Sequence, residues 1–380
     1  MKIFLSVYLI NPMLHYFIKY LPKVSYFKLD SEYLLSFGGK EYAFEIVSNF
    51  EGVSRGHDDI IIAKWSIPND YKFQAKKNIF VKIDEIYHPS DTNMSVDEEM
   101  KLILENNKIF SSCINYEIQH KNLLTDEFLN FLFFYNENGY THLSFKEQNI
   151  KKTNLIGGYF RYEKDSEGLL IHGKESKNDR QEVHTQIKRL SKNRLVEFKT
   201  DKDIPNTNKI AKTINKINHG HWNKNHIAGY SDYITTVVGL EHDSMGSKTD
   251  LIENRQWYFN EKSLKAILYS KLNIPFIFDT TEYSLDKLKE LGFWFLNMEF
   301  TDDTSDYYLG KYNRVNDGII KTIEFLNKLY EESYDLDKVH KTLVDMYGYK
   351  MKKNYDLFHH YLEYPPNSDK IIEFILNWEE

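Results

Sequence analysis

The sequence predicts an α/β fold, because strand patterns and helix patterns alternate along most of its 380 residues. Two apolar runs, at 58–65 and 78–85, are bounded by turn-forming residues and are typical of buried strands. The stretch 96–110 has apolar residues at helical spacing and predicts a helix. A first buried strand is expected within 1–10, whose apolar run has no small-residue cleavage site.

The later half of the chain repeats this alternation more clearly. A β-branched run predicts a strand, and each helix that follows has apolar residues three and four positions apart. The expected elements are a strand at 233–241, a helix at 261–271, a strand at 274–279, a helix at 284–293 that Gly292 ends, and a helix at 318–332. Strands covered by helices are therefore expected in both halves.

The length of 380 residues fits two domains of ordinary size or one large domain. Between about 145 and 200 the composition becomes polar and basic, which favours a boundary there. We predict an N-terminal α/β domain over 1–150 and a C-terminal α/β domain over 151–360. A C-terminal helix within 361–380 could pack back on the N-terminal domain.

Composition excludes several classes of protein. Apolar residues make up 41% of the chain, too many for a disordered protein, and the net charge of -7 argues against a dedicated nucleic-acid binder. The single cysteine, Cys113, forms neither an intrachain disulfide nor a thiolate metal cluster. No apolar stretch approaches the ~20 residues of a membrane-spanning helix. We expect a cytoplasmic protein, and patches of aromatic and lysine residues leave peripheral membrane contact open.

The step from strand to helix near residue 260 carries the strongest chemical signal. The first turn of a helix presents free backbone N–H groups and the positive end of the helix dipole, which together bind anions. Lys262 adds a positive charge for a diphosphate, and Glu261 can accept the two hydroxyls of a ribose. The simpler alternative is a solvated Lys262, a Glu261 that complements the dipole, and Asn260 as a cap.

A second acid, Glu241, ends the strand that precedes this step. In an open α/β sheet the carboxyl ends of strands and the following helix N-termini line one crevice, so both acids can face one ligand. The segments "LEHDS", "YFNEK", "SLKAILYSK" and "IPFIF" between 233 and 279 resemble the donor-site motif of the α-1,3-fucosyltransferases. That family reads F-E-N-[ST], a loop, Y-[VF]-T-E-K, a helix and an x-P-[IV] strand. His242 replaces the Asn of this motif, and Asn260 replaces the Thr.

The resemblance implies the GT-B architecture, in which two Rossmann-like domains face a cleft. It implies a C-terminal domain that binds a nucleotide-diphospho-sugar such as GDP-fucose, and an N-terminal domain that binds the acceptor. Weaker matches at 78–89 and 178–190 offer Glu85 as the catalytic base and Arg180 as a diphosphate ligand. The implied donor-binding set is Arg180, Glu241, His242, Asn260, Glu261 and Lys262. Glu45, Glu51 and Asp84 are alternatives for the base.

The predicted activity is therefore an inverting glycosyl transfer, as in polysaccharide biosynthesis, with a saccharide as the favoured acceptor. No cofactor and no metal is expected, because His219, His221 and His226 have no cysteine companions or H-E-x-x-H pattern. The acidic run at 301–306 is expected to be an exposed loop. Three alternatives stay open: another donor sugar and stereochemistry on the same fold, a non-catalytic glycan- or protein-binding module, and transfer to a modified DNA base.

Overall fold

In a computed structural model, the chain forms two compact units. Unit 1 comprises Met1–Glu137, Asp250–Asn260 and His359–Glu380, and unit 2 comprises Asn138–Thr249 and Glu261–Phe358. The residues that the structure describes are 1–22, 28–48, 50, 56, 58–64, 77–83, 101–112, 114–115, 120–126, 128–138, 151–159, 189–191, 196–199, 236–242, 256–257, 264, 267–268, 273–276, 288–300 and 317–378.

Unit 1 is built on a seven-stranded sheet with the order β2-β3-β1-β4-β5-β6-β8. Its strands are β1 (Lys2–Ser6), β2 (Glu32–Phe37), β3 (Lys40–Val47), β4 (Ile60–Lys64), β5 (Lys77–Lys82), β6 (Lys108–Ser111) and β8 (Leu123–Thr125). All neighbours are parallel except β2 and β3, which form a hairpin. Gly38 and Gly39 connect them with φ of 57° and 75°, values that favour glycine. A separate antiparallel pair joins β7 (Ile114–Asn115) to β12 (Gln256–Trp257).

The central strands of unit 1 are apolar along almost their whole length, as expected for parallel strands covered on both faces. In β4, Ile60, Ile61 and Ile62 are each at most 1% exposed. Among the described residues, this unit has the helices α1 (Ile10–Phe17) and α2 (Phe128–Asn138), the C-terminal helix α5 (Ser368–Leu376) and a helical stretch at 101–104. Short 3-10 turns, Val7–Leu9 and Ile18–Tyr20, flank α1.

The C-terminal segment belongs to unit 1 and is tied to it by polar contacts. Helix α5 packs on α1, and Lys19 forms an ion pair with Asp369 at 2.6 Å. The Lys108 ammonium donates to the carbonyl of Phe374 at 2.5 Å and to that of Asn377, at the end of α5. The same ammonium lies 4.8 Å and 4.5 Å from the ring centroids of Phe374 and Trp378. A buried lysine thus complements the negative end of the α5 dipole.

Unit 2 contains a four-stranded parallel sheet with the order β10-β9-β11-β13. Its strands are β9 (Asn154–Tyr159), β10 (Val196–Lys199), β11 (Thr236–His242) and β13 (Asn273–Phe276). The two long helices in the described part of unit 2 are α3 (Asp317–Ser333) and α4 (Leu336–Glu363), whose end from His359 onward belongs to unit 1. A 3-10 turn, Leu296–Glu299, packs on α3.

The core of unit 2 forms where β9 and β11 meet the two long helices. Strand residues and the apolar stripes of α3 and α4 interlock there, and most are no more than 2% exposed. The cluster consists of Leu155, Ile156, Val237, Val238, Leu296, Ile319, Ile323, Leu326, Val339, Leu343 and Met351.

The predicted α/β class is confirmed, and one helix boundary is wrong. Helix α3 and strands β4, β5 and β11 lie where their patterns predict them. Within the predicted helix 96–110, residues 101–104 are helical, but Lys108–Ser111 forms β6. Asn107 turns the chain back, donating from its backbone and side-chain amides to the carbonyl of Ile103 at 3.1 and 3.0 Å. The apolar residues that follow pair with β5 and β8, so sheet burial overrides the helical spacing.

Candidate functional site at the carboxyl edge of the unit 2 sheet

The strand order of the unit 2 sheet reverses between β9 and β11. Strand β10 pairs with one side of β9, and β11 and β13 extend the sheet from the other side. In open parallel sheets the connections on the two sides of such a reversal diverge, which opens a crevice beyond the carboxyl ends of the strands. The end of β11 therefore lies where ligands bind in this class of sheet.

The segment that resembles the donor-site motif forms a strand–helix–strand unit. Strand β11 pairs in parallel with β13, with Glu241 opposite Pro275 and His242 opposite Phe276. Two parallel strands require a crossover connection, and Leu264, Ile267 and Leu268 in that connection are helical and at most 2% exposed. Their spacing predicts the buried face of a helix, and the structure confirms it at these three positions.

Two of the predicted site residues lie at this edge. Glu241 and His242 are the last two residues of β11, beside the reversal of strand order. Asn260, Glu261 and Lys262 precede the helical residue Leu264 in sequence but lie outside the described residues. Arg180 and Glu85 also lie outside them; Glu85 follows β5, whose last residue is Lys82. The structure therefore describes only Glu241 and His242 of the predicted set, which are neighbours in the sequence.

A pair of glycines next to this edge is a feature that the sequence analysis missed. Gly157 of β9 and Gly239 of β11 are direct partners across the parallel pair. Two residues farther along each strand come Tyr159 and Glu241, near the carboxyl edge. Glycine weakens the interior of a strand, and it often occurs there at a bulge, at a tight bend or where a ligand or another backbone approaches closely. Glycines inside the runs "LIGGY" and "VVGLE" are the sequence signal that identifies this place.

The buried lysine of unit 2 lies at the opposite edge of the sheet. Lys152 precedes β9 and is 3% exposed, and its backbone N–H donates to the Asp337 carboxylate at 2.8 Å. Burial lowers the pKa of Lys152 to about 8, against an opposing effect of the Asp337 charge. Lys152 lies before the amino end of β9, away from the carboxyl ends of the strands. Its burial therefore affects the stability of the fold, and Lys152 does not belong to the candidate site.

The described residues show neither a metal site nor a membrane-spanning helix. No group of three or more His, Cys, Asp or Glu side chains there is arranged to hold a metal ion. No helix in the described part of the chain is both long and apolar enough to cross a bilayer. The histidines at 219, 221 and 226 and the acidic run 301–306 lie outside the described residues.

No family model, curated protein or solved structure matches the chain. The resemblance to α-1,3-fucosyltransferases therefore rests on the motif residues between 233 and 279 and on the two weaker matches.

Proposed function

We propose that the protein is a glycosyltransferase that moves a sugar from a nucleotide-diphospho-sugar donor to a hydroxyl of a saccharide acceptor, with inversion. One observation carries the proposal: Glu241 and His242 of the motif "LEHDS" end β11, in the strand beside the reversal of strand order and close to the glycine pair. A nucleotide needs the kind of crevice that such a reversal creates. In the strand register Glu241 lies opposite Pro275, one residue before the end of β11, which supports this assignment.

The finer architecture is part of the same proposal. The sheet of unit 1 is parallel except for the β2–β3 hairpin and the sheet of unit 2 is wholly parallel; the strand order of each reverses once, between β1 and β4 in unit 1 and between β9 and β11 in unit 2. Two Rossmann-like sheets in one chain support the GT-B arrangement that the motif resemblance implies. In it unit 2 binds the donor and unit 1 the acceptor.

The chemistry of the transfer assigns a role to each motif residue. Glu85 takes the proton of the acceptor hydroxyl as its oxygen attacks the anomeric carbon of the donor sugar. The bond between that carbon and the diphosphate oxygen breaks, and the nucleoside diphosphate leaves with its electron pair. Arg180 and Lys262 stabilise the charge that develops on the leaving group, and Glu261 accepts the ribose hydroxyls. No metal ion or cofactor takes part in this scheme.

A second candidate is a binding module that retains the fold without catalysis. It is favoured by His242 and Asn260, which replace the Asn and Thr of the donor-site motif. Transfer to a modified DNA base is disfavoured by the net charge of -7. Acceptor binding that weakens steeply with salt would support DNA, because phosphate contacts release counterions. In either case we propose a cytoplasmic site of action, with peripheral membrane contact left open.

The first test is a thermal-shift screen with nucleoside diphosphates and their sugars. A ligand that binds the folded state alone stabilises it by about 2.7 kcal/mol at a concentration 100-fold above its Kd. We expect one nucleoside diphosphate to raise the Tm of the wild type and to lose its effect in Lys262→Ala. Lys265→Ala, three positions farther along the same segment, is the matched control. No shift with any nucleotide would exclude the donor-site assignment.

A second measurement separates an enzyme from a binding module. Glycosyltransferases hydrolyse their donors slowly in the absence of acceptor, because water reaches the anomeric carbon. Once the nucleotide is known, release of free sugar from the corresponding donor is followed over time. A module that binds the donor and releases no sugar above the spontaneous rate would favour the second candidate.

A further inference from the structure

The strand order of the unit 1 sheet also reverses once, and the structure describes the ends of both strands at the reversal. Strand β1 pairs with β3 on one side and with β4 on the other, and the sheet extends from β4 to β8. The carboxyl ends at this point are Ser6 of β1 and Lys64 of β4. By the same rule as in unit 2, a ligand of unit 1 lies beyond these two strand ends.

The strand end at the far side of this edge is occupied by the protein's own groups. The pairing of β5 with β6 and of β6 with β8 continues by one residue, through hydrogen bonds from the Ser112 N–H to the Lys82 carbonyl at 3.0 Å and from the Asp126 N–H to the Ser111 carbonyl at 2.9 Å. The buried carboxylate of Asp126 accepts hydrogen bonds from the Tyr16 hydroxyl at 2.8 Å and from the Phe128 N–H at 3.1 Å. Among the described residues, the end of β8 is therefore filled by a buried carboxylate and its partners.

The end of β1 presents an aromatic ring to solvent instead. Tyr8 is 73% exposed, more than any other large apolar residue in the described part of the chain. It lies on the 3-10 turn Val7–Leu9, which contacts β4, and its neighbour Leu9 is fully buried. The turn is thus anchored on the sheet while the ring stays in water. An exposed ring on an anchored turn is a flat apolar surface whose binding requires little loss of backbone entropy.

A positive charge lies at the adjacent strand end. Lys64 is the last residue of β4 and is partly buried, with its ammonium 5.2 Å from the ring centroid of Phe133 in α2. This contact holds the flexible lysine stem against the protein. A partly desolvated ammonium attracts an anionic ligand group more strongly than a fully solvated one.

We propose that this edge of unit 1 binds a saccharide that carries a carboxylate, sulfate or phosphate. The apolar C–H face of the sugar stacks on the Tyr8 ring, and its anionic group pairs with the Lys64 ammonium. This inference rests on the proposed function in one respect, because it identifies the saccharide as the acceptor. It predicts an acidic glycan rather than a neutral one as the substrate class.

Saturation-transfer NMR with glucuronate and glucose at millimolar concentration tests the proposal. These two probes have nearly the same ring and differ in charge. We expect the wild type to bind glucuronate at least threefold more tightly than glucose. Tyr8→Ala should weaken both at least fivefold, and Tyr8→Phe should restore them. Lys64→Gln should reduce glucuronate binding to the level of glucose.

The controls keep this test separate from that of the donor site. Tyr364→Ala removes a ring that is 56% exposed elsewhere in unit 1, and Lys101→Gln removes an exposed lysine; neither should change sugar binding. Circular dichroism checks that each variant is folded. Equal binding of the two sugars by the wild type, no binding of either, or unchanged binding in Tyr8→Ala would overturn the inference. The nucleotide-induced rise in Tm, measured on the same variants, reports the donor site independently.

Discussion

In unit 1 the strand order reverses beside an exposed tyrosine and a lysine, whereas in unit 2 it reverses beside two glycines and an acidic strand end. Tyr8 and Lys64 occupy the first edge, and Gly157, Gly239 and Glu241 define the second. A ring and an ammonium suit a sugar with a negative group. Bare backbone and a carboxylate suit a nucleotide whose phosphates approach the chain closely and whose ribose offers hydroxyls.

The comparison separates two contributions to a binding site. Topology marks the place where open α/β sheets bind ligands, because the order of strands reverses once in both sheets. Side chains at the strand ends decide which ligand it is. Two sheets with the same local order can therefore serve the two substrates of one transfer reaction.

The two units also differ in the contacts that stabilise each of them internally. Lys108→Met removes such a contact from unit 1 and has the largest expected effect. The substitution leaves the carbonyls of Phe374 and Asn377 without their charged donor, and we expect a loss of about 3 kcal/mol. Hydrogen exchange should accelerate in unit 1 peptides and stay unchanged in those of unit 2. Lys101→Met, on the exposed surface, is the control. Equal acceleration in both units would show that they unfold as one.

The buried lysine of unit 2 predicts a dependence of stability on pH. Folding lowers the pKa of Lys152 from 10.5 to about 8. Below this range the lysine is protonated in both states, and the cost of burying its charge is fully present. Between pH 8 and 10.5 the unfolded state binds more protons, so this contribution to the unfolding free energy rises with pH, by about 3 kcal/mol in total.

Urea unfolding of wild type and Lys152→Met across this pH range measures that contribution. The unfolding free energy of Lys152→Met should exceed that of the wild type by less, or fall below it, as pH rises. Lys151→Met, which replaces the exposed neighbour, controls for the titration of other lysines and tyrosines. A constant difference between wild type and Lys152→Met at all pH values would show that Lys152 has its ordinary pKa in the folded chain.

The glycine pair sharpens the comparison of the two edges. Gly239→Val introduces a β-branched side chain, which a strand tolerates. The valine side chain fills the space beside Gly157, the partner of residue 239 in the neighbouring strand. We expect nucleoside diphosphate binding to weaken about tenfold, or about 1.4 kcal/mol, while sugar binding at Tyr8 is unaffected. Calorimetry with the nucleotide found in the thermal-shift screen measures this. If the folded variant bound the nucleotide as tightly as the wild type, the two glycines would serve the packing of the sheet and not the binding site.

The smallest effect concerns the helix end in unit 2 at Gly292. Its φ of 84° lies in the left-handed region, and an added Cβ would be 3.0 Å from Leu357 Cδ2. Gly292→Ala should cost about 1 kcal/mol. Gly348→Ala is the matched control, because this helical glycine has ordinary space and alanine should stabilise it by up to about 1 kcal/mol. Urea unfolding measures both; equal effects would contradict the assignment of backbone strain.

Local sequence patterns predicted where the helices and strands lie better than they predicted which strands pair with each other. The β-branched run of β11, the apolar stripe of α3 and the stop at Gly292 all depend on neighbouring residues, and each is where the sequence predicts it. Asn106 and Asn107 end a helix early because β6 is recruited by distant strands, which periodicity does not reveal. The pairing of Gly157 with Gly239 is likewise a matter of register between segments 82 residues apart.

The same distinction applies to the candidate site. Glu241 was identified from its position at a strand end and from the motif, both of which are local. Tyr8 was missed because tyrosines are numerous, 28 in the chain, and only the anchored turn distinguishes this one. Exposure and strand order result from the whole fold, so sequence patterns alone do not report them.

The attachment of the C-terminal segment has a consequence for the order of events during synthesis. The hydrogen bond from His15 to the carbonyl of Leu362 joins residues 347 apart, and that from Lys108 to Phe374 joins residues 266 apart. At about 5–20 residues per second, a ribosome needs roughly 10 to 50 seconds to reach Phe374 after Lys108. During that interval the amino-terminal sheet lacks its last helix and exposes the apolar surface of α1. Its nascent form is therefore expected to be a client of chaperones until translation reaches α5.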